Sequence, residues 1–364
     1  MGESKPNRHS RRDRFRSLIL SDPGDLRIGP VLAIPDILTE LGVRPARVFA
    51  EAGVDLASFR EPESRIPFEA LGHLLQACVA ATECHHFGLL VGERFDLRGL
   101  GAIGHLMRNE ASVGDALRSL VLHLHIHDRG ASPVLLFADR NSVILGYSIY
   151  RHGTPAMAQV YDAALAIGFK ILHELCGPSW KPLRVQFSYA QPLDTSSYSR
   201  FFGSDIWFGA DFSGLVFAAS WLQRPIEGAD PALRDVLAAS IREAEASGEM
   251  SFADRVRVVL HQLILSGTAN SGHVARLFAI HERTLRRRLR AEGTNLRHLV
   301  NEARFELAEQ LLENTGLSIA EIAAALQYTD PNAFSRAFRS WAQVSPTQWR
   351  ATAARSRNLV SNAG

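Results

Sequence analysis

This sequence predicts an α+β domain followed by an all-α domain that holds two helix-turn-helix units joined by a linker helix. Three observations predict it. Short strand-like runs bounded by turn residues occur within the first 225 residues and stop there. Beyond Pro231 every apolar pattern has the three-and-four spacing of a helix. One segment near the C-terminus, His273 to Leu289, is echoed in outline by Ile319 to Phe338.

Taken in order, the chain opens with a basic stretch carrying Lys5, Arg8, Arg11, Arg12, Arg14 and Arg16. The only apolar run after it is Leu18-Ile19-Leu20, too short for a signal-peptide core, so a disordered tail is expected over 1–25. Residues 31–126 read as mostly helical. Val113, Ala116, Leu117, Leu120, Val121 and Leu124 trace one amphipathic face, and Pro67 suits a helix first turn ahead of Leu71, Leu74, Leu75 and Val79. Pro133 to Ala138 and Val143 to Tyr150, separated by Asp139-Arg140-Asn141, predict a hairpin. Met157 to Leu175 returns to helix spacing and stops at Gly177-Pro178. Leu183 to Phe187 and Leu215 to Ala218 predict further short strands. Pro225 to Pro231 has the composition of a linker. The next helix, Pro231 to Glu245, carries a stripe of Leu233, Val236, Leu237 and Ile241 that must pack on a partner copy or on the first domain.

The composition, 46 % hydrophobic and 21 % charged, is that of a globular protein, and no apolar run approaches the roughly 18–20 residues of a membrane span. A cytoplasmic protein with no membrane association is expected. The three cysteines, Cys78, Cys84 and Cys176, are too scattered for a disulfide framework or a CxxC metal pair. The net charge of +2 conceals an asymmetry. From residue 270 onward thirteen Arg face eight acids, whereas 21–269 is net acidic by seven. Such a distribution suggests that only the C-terminal end meets a polyanion.

The repeated segments carry the chemistry. Each begins with a short helix whose crossing point is a small residue, Ala275 or Ala323, as two steeply crossed helices require. Each then has an apolar plug for the turn, Ile280 or Tyr328, and a second helix anchored four residues apart, by Leu285 and Leu289 or by Phe334 and Phe338. Those anchors fix the buried face and therefore the outer one. The outer face carries Arg283, Arg286, Arg287 and Arg290 in the first unit, and Asn332, Ser335, Arg336 and Arg339 in the second. Arg can fork to guanine O6 and N7, and Asn to adenine N6 and N7, in the major groove. An Arg that misses a base can hold phosphate. Between the units, Leu296, Leu299, Val300, Ala303, Leu307, Leu311 and Leu312 stripe a helix that would set the spacing of the two readers. An Arg-rich helix alone is usually just a solvated face; the duplication with matching anchors is what favours nucleic acid. Phe334, Phe338, Trp341 and Trp349 are expected in the core rather than stacked on bases.

The stretch Ser271 to Arg350, above all LSIAEIAAALQYTDPNAFSRAFRSWAQVSPTQWR from Leu317, resembles the AraC/XylS family of bacterial transcription regulators. That family commonly has Gly in each turn, where this chain has Ala279 and Gln327, and a Ser cap where it has His281. By position, the resemblance implies base contacts from Arg283, Arg286 and Arg287, and from Pro331, Asn332, Ser335 and Arg336. The front of the chain resembles the arabinose-binding-like effector domain of the ornithine-utilisation-regulator type. FGLLVGERFDLRGLGAIGHLM (Phe87 to Met107), SVGDALRSL (Ser112 to Leu120), SYSRFFGSDIWFGADFSGLVF (Ser197 to Phe217) and the end at Trp221 to Pro225 carry that likeness. The first domain is therefore expected to be a sensor.

Three patterns there invite other readings. Gly99-Leu100-Gly101-Ala102-Ile103-Gly104 fits GxGxxG, but the polar Glu93-Arg94-Phe95-Asp96 before it is no strand, so loop and helix packing is the better account. In His123-Leu124-His125-Ile126-His127-Asp128, His123 and His127 would share a helical face and all three imidazoles a strand face. That arrangement could bind a metal or haem, although such histidines are more often solvated or hydrogen-bonded. His85-His86 beside Cys84 is a weaker case. No GxSxG, HExxH or P-loop occurs, so no catalytic residue, metal or cofactor is expected, and no enzyme.

The expected organisation is a tail (1–25), an effector-sensing and dimerisation domain (26–225), an interdomain linker and helix (226–248), a DNA-binding domain (249–352) and a second disordered tail (353–364). The expected partners are double-stranded promoter DNA, a small-molecule effector, RNA polymerase (as an activator) and a second copy in a homodimer. The rival readings are a metal-responsive regulator and a ligand-independent one whose front domain only oligomerises.

Overall fold

The computed structural model describes residues 25–138, 141–149, 154–210, 212–247, 251–265, 269–278, 280–314 and 317–352. Of the tails expected over 1–25 and 353–364, residues 1–24 and 353–364 lie outside the described residues, as do Ala279, Asp139, Arg140 and Tyr150, whereas Asp25 is drawn into a strand by pairing with Pro67.

The first part of the chain is α+β. β1 (Asp25–Arg27) pairs antiparallel with β2 (Arg65–Pro67), and between them lie α1 (Ile34–Glu40) and α2 (Pro45–Glu51). α3 (Phe68–Thr82) starts directly after Pro67, which serves as its N-cap rather than sitting inside the first turn. α4 (Phe87–Glu93), α5 (Gly101–Arg108) and α6 (Val113–His123) follow. Ser112 caps α6 by accepting from the Asp115 N–H. β3 (Ala131–Phe137) and β4 (Ser142–Ile149) form the expected hairpin, with Phe137 opposite Val143. α7 (Met157–Cys176), β5 (Arg184–Gln186), α8 (Ser196–Phe202), β6 (Asp205–Trp207) and β7 (Gly214–Ala218) complete a five-stranded sheet of order β3-β4-β7-β5-β6, antiparallel except for β5 with β6. The three strands not anticipated, β1, β2 and β6, have three residues each, too few to show alternation.

α7 is the centre of this part. Its buried residues feed two apolar cores, one shared with α5, α6 and the sheet (Leu165, Leu172) and one shared with α1 to α4 (Val160, Ala163). Two glycines on α4 allow its close approach. A Cβ on Gly88 would stand 2.1 Å from the Gln159 carbonyl oxygen, and one on Gly92 2.4 Å from the Ala166 Cβ. The GxGxxG run proves to be a packing corner. A 3-10 turn (Leu97–Leu100), not a strand, leads into α5, and a Cβ on Gly104 would meet the Leu97 carbonyl at 2.1 Å.

α9 (Pro231–Ser247) follows the proline-bounded segment and turns its stripe towards the first part: Ile241 is fully buried there, and Leu237 and Ala238 pack beside it. Leu233 and Val236 stay exposed, at 44 % and 66 %. The remainder is helical: α10 (Phe252–Leu265), α11 (Ser271–Leu277), α12 (Glu282–Ala291), α13 (Leu296–Asn314), α14 (Ile319–Ala325) and α15 (Pro331–Ala342). Their buried residues form one core of their own, from Phe252 to Phe338. Leu122, on α6, packs against that core from the first part. No single described helix is long and apolar enough to cross a membrane.

Candidate nucleic-acid interface and sensor cavity

In the first helix-turn-helix unit, α11 is capped by Asn270, whose Oδ1 accepts from the His273 N–H at 3.0 Å. Ala275 is buried where the helices cross. α12 is held by Leu285 and Leu289, both fully buried. The His281 ring does serve as a cap, its Nδ1 accepting from the Arg283 N–H at 3.2 Å. The Ser271 hydroxyl donates to Glu282 at 2.5 Å and ties the two helices together. Burying that face leaves Arg283, Arg286, Arg287 and Arg290 all exposed. The neighbouring Arg288 lies over the Phe252 ring, 5.3 Å from its centroid, and braces α12 on α10.

The second unit repeats the arrangement with better caps. Ser318 and Glu321 form a reciprocal capping box at the start of α14, with N–H to oxygen distances of 3.2 and 2.7 Å. Asp330 caps α15 by accepting from the Ala333 N–H at 2.7 Å, with Pro331 in the first turn, where its missing N–H costs nothing. Gln327 occupies the turn at φ 61°, the left-handed conformation that favours glycine. Phe334 and Phe338 are fully buried, and Asn332, Arg336 and Arg339 are exposed, with Pro331 exposed and Ser335 half-buried beside them. Trp341 and Trp349 pack around Phe305 on α13, at 5.7 and 6.4 Å between ring centroids. Trp349 also donates to Glu313 at 2.8 Å. These rings are therefore part of the core.

Among the described residues, none of the six outer-face arginines (283, 286, 287, 290, 336 and 339) takes part in a salt bridge within 4.0 Å, although the chain pairs many other arginines. Their charge is left for an external anion. α13, which separates the units, has 19 residues and so spans about 28 Å at 1.5 Å per residue, comparable to one turn of duplex.

A second feature lies in the first part: a cavity of ≈ 100 Å³ between α7, the sheet and the end of α6. Its wall is apolar except for Arg27, His127, Asp128 and Tyr147. Arg27 Nη1 donates to His127 Nε2 at 2.8 Å. Burial, and then the Arg27 charge, pull His127 down to about 3, so the ring is neutral and accepts. Asp128 is buried and pushed up to about 6; it accepts from the Tyr147 hydroxyl and from the Gly130 and Ala131 N–H groups. The histidines singled out in the sequence are thus used separately. His125 is buried and bonded to the Leu122 carbonyl at 2.9 Å, and His86 meets Ser197 at 3.2 Å. Among the described residues no three His, Cys, Asp or Glu side chains are placed to hold a metal ion. Nothing in the sequence pointed to Arg27, which stands in a three-residue strand.

Comparison with known proteins agrees with this geometry in both parts. The family described as "Arabinose-binding domain of AraC transcription regulator, N-term" matches residues 42–226, and a "Helix-turn-helix domain" family matches residues 274–352. The chain is 26 % identical over 321 residues to the HTH-type transcriptional regulator VirS of Mycobacterium tuberculosis, covering 87 % of this chain and 93 % of that one. It is 25 % identical over 321 residues to the ornithine utilization regulator of Pseudomonas aeruginosa, covering 87 % and 94 %. The crystal structure of the transcriptional regulator CdpR from Pseudomonas aeruginosa aligns with a TM-score of 0.43 at 22 % identity, covering 84 % of this chain and 96 % of that one.

Proposed function

The chain belongs to the AraC family of transcription regulators, and we propose that it is an effector-controlled activator that reads promoter sequence with α12 and α15. It is a DNA-binding transcription regulator with an N-terminal ligand-binding domain, and not an enzyme. The observation that carries the finer reading is the pair of exposed faces, Arg283, Arg286, Arg287 and Arg290 on α12, and Asn332, Ser335, Arg336 and Arg339 on α15. Pro331 opens α15 beside them. Each face is aimed outward by two fully buried anchors, and both hang on one connecting helix. In this reading residues 249–352 bind DNA, 226–248 connect, and 26–225 sense the effector and dimerise.

Support for effector control comes from the end of α6. Leu120 and Leu124 line the cavity, while Leu122, between them in sequence, packs against the DNA-binding core. A molecule that moves this turn would move both surfaces. Contact with RNA polymerase and a homodimer on paired half-sites complete the proposal. Footprinting of the full-length protein at sites found by genome-wide binding maps tests it. Protection of two adjacent major-groove segments on one duplex face, about 10 base pairs apart, is expected. Protection of a single segment, or none, would overturn reading by both helices.

A further inference from the structure

A guanidinium stays charged when buried, so it needs an anion or enough acceptors to replace the water it loses. Arg27 is 7 % exposed at the edge of the cavity, and its guanidinium packs over Gly101, where a Cβ would stand 3.3 Å from Nη1 and where the φ of +51° favours glycine. Among the described residues its Nη1 has only the neutral His127 ring as acceptor, and its buried Nε has no hydrogen-bond partner. Its anion is Glu63, in the loop before β2, and the Glu63 side chain is 75 % exposed. Burial and the nearby Arg65 charge both disfavour the Arg27 cation.

The other charged groups around it are already occupied. Arg65 is bidentate to Asp25, at 2.6 and 2.8 Å, and also donates to the Ile126 carbonyl at 2.8 Å. Asp128 takes the Tyr147 hydroxyl and two backbone N–H groups. The rest of the wall, including Phe68, Leu71, Leu145, Val160 and Leu215, is apolar.

We infer that the cavity takes a small monocarboxylate with an apolar body, its carboxylate pairing with Arg27 in place of the Glu63 side chain. This rests on the reading of the first domain as a small-molecule sensor. The ligand carboxylate would give Arg27 a buried anion in place of an exposed one, and Glu63, whose side chain is 75 % exposed, can return to solvent. A pentose would bring several hydroxyl groups to a wall that offers few partners for them. An ammonium would be placed beside Arg27, and the one carboxylate in the wall, Asp128, already accepts from Tyr147 and two backbone N–H groups. The cavity is somewhat smaller than the roughly 150 Å³ that accommodates a benzene ring, so a compact body is required.

Calorimetric titration of the full-length protein with butanoate, 2-methylpropanoate, butan-1-ol, butan-1-amine and L-arabinose tests the class. One or both carboxylates should bind roughly tenfold or more tighter than the alcohol, the amine and the sugar. Glu63→Gln should tighten carboxylate binding by roughly three- to tenfold and leave alcohol binding unchanged. Arg27→Gln should erase the preference for carboxylates; if circular dichroism shows that this variant does not fold, the exposed Glu63 position carries the test alone. Equal binding of alcohol and carboxylate, preference for the amine or sugar, failure of both carboxylates to bind, or an unchanged Glu63→Gln would overturn the inference. Affinity for a footprinted DNA site, followed in the same titrations, separates the two claims. A shift driven by the alcohol or sugar keeps the sensor and removes the carboxylate. Arg27-dependent carboxylate binding that leaves DNA affinity unchanged keeps the ligand class and removes effector control.

Discussion

Arg27 and His127 are joined by a 2.8 Å hydrogen bond across 100 residues of chain, which fastens the first strand to the turn that follows α6. The bond requires a neutral imidazole, and the site keeps it so by burial and by the Arg27 charge, with smaller contributions from Arg65 and His125.

A pH dependence follows from His127 and Asp128 together. His127 is held at about 3 in the folded chain against 6.5 when free, so the unfolded chain binds a proton that the folded chain refuses. Its contribution is full above about pH 6.5 and is lost as the pH falls towards 3. Asp128 has the opposite sign. Raised from 3.8 to about 6, it favours the folded chain increasingly as the pH falls through that window. The two effects partly cancel between pH 6 and 4. Asp128→Asn removes the compensation while leaving an acceptor for Gly130 and Ala131, so its melting temperature should fall more steeply across that range than the parent's. Parallel slopes would contradict this.

Gln327 at φ 61° predicts a stabilising substitution. A residue with a Cβ pays roughly 1–2 kcal/mol for the left-handed conformation, and Gly returns part of that gain through its freer unfolded state. Gln327→Gly should stabilise the C-terminal part by about 0.5–1 kcal/mol in urea denaturation. A loss of stability would show that the turn is not strained.

The apolar stripe of each reading helix was legible because anchors four residues apart, Leu285 with Leu289 and Phe334 with Phe338, leave one choice of buried face. The connecting stripe from Leu296 to Leu312 was legible for the same reason, and all of it joins the C-terminal core. The cavity was not legible. Its polar end is built from residues 27, 127, 128 and 147, and no local spacing encodes a contact across 100 residues. The histidine run misleads for a related reason. Periodicity arguments assume a helix or a strand, whereas Leu124–Ile126 is a 3-10 turn that sends His125 and His127 to different partners. The α9 stripe was visible, but only packing shows that Leu237 and Ile241 face the first domain.

A fragment beginning at Glu249 should fold alone, since the buried residues of its core all lie between Phe252 and Phe338, while the first domain meets it from outside through Leu122 and the approach of β3 to α10. Its DNA affinity should fall by on the order of 10³ between 50 and 200 mM salt if about six arginines meet phosphate or base. An unfolded fragment by circular dichroism, or binding insensitive to salt, would refute this division of the chain.

The two sides of α9 should respond differently to charge. Leu237→Asp places a carboxylate against the first domain and should cost about 1–3 kcal/mol of its stability. Val236→Asp, on the exposed side, should change stability by no more than about 0.5 kcal/mol. If that side joins two copies, Val236→Asp should weaken the dimer in sedimentation with and without DNA. Unchanged sedimentation would remove α9 from the interface.

The central claim is that the outer faces of α12 and α15 read bases rather than merely holding phosphate. The measurement that tests it most directly is the affinity of Arg287→Ala and Arg336→Ala for a footprinted site and for random duplex of the same length, at one salt concentration. Each substitution should cost roughly 1–3 kcal/mol on the footprinted site and little on random DNA. Equal losses on the two DNAs would contradict base readout by these residues.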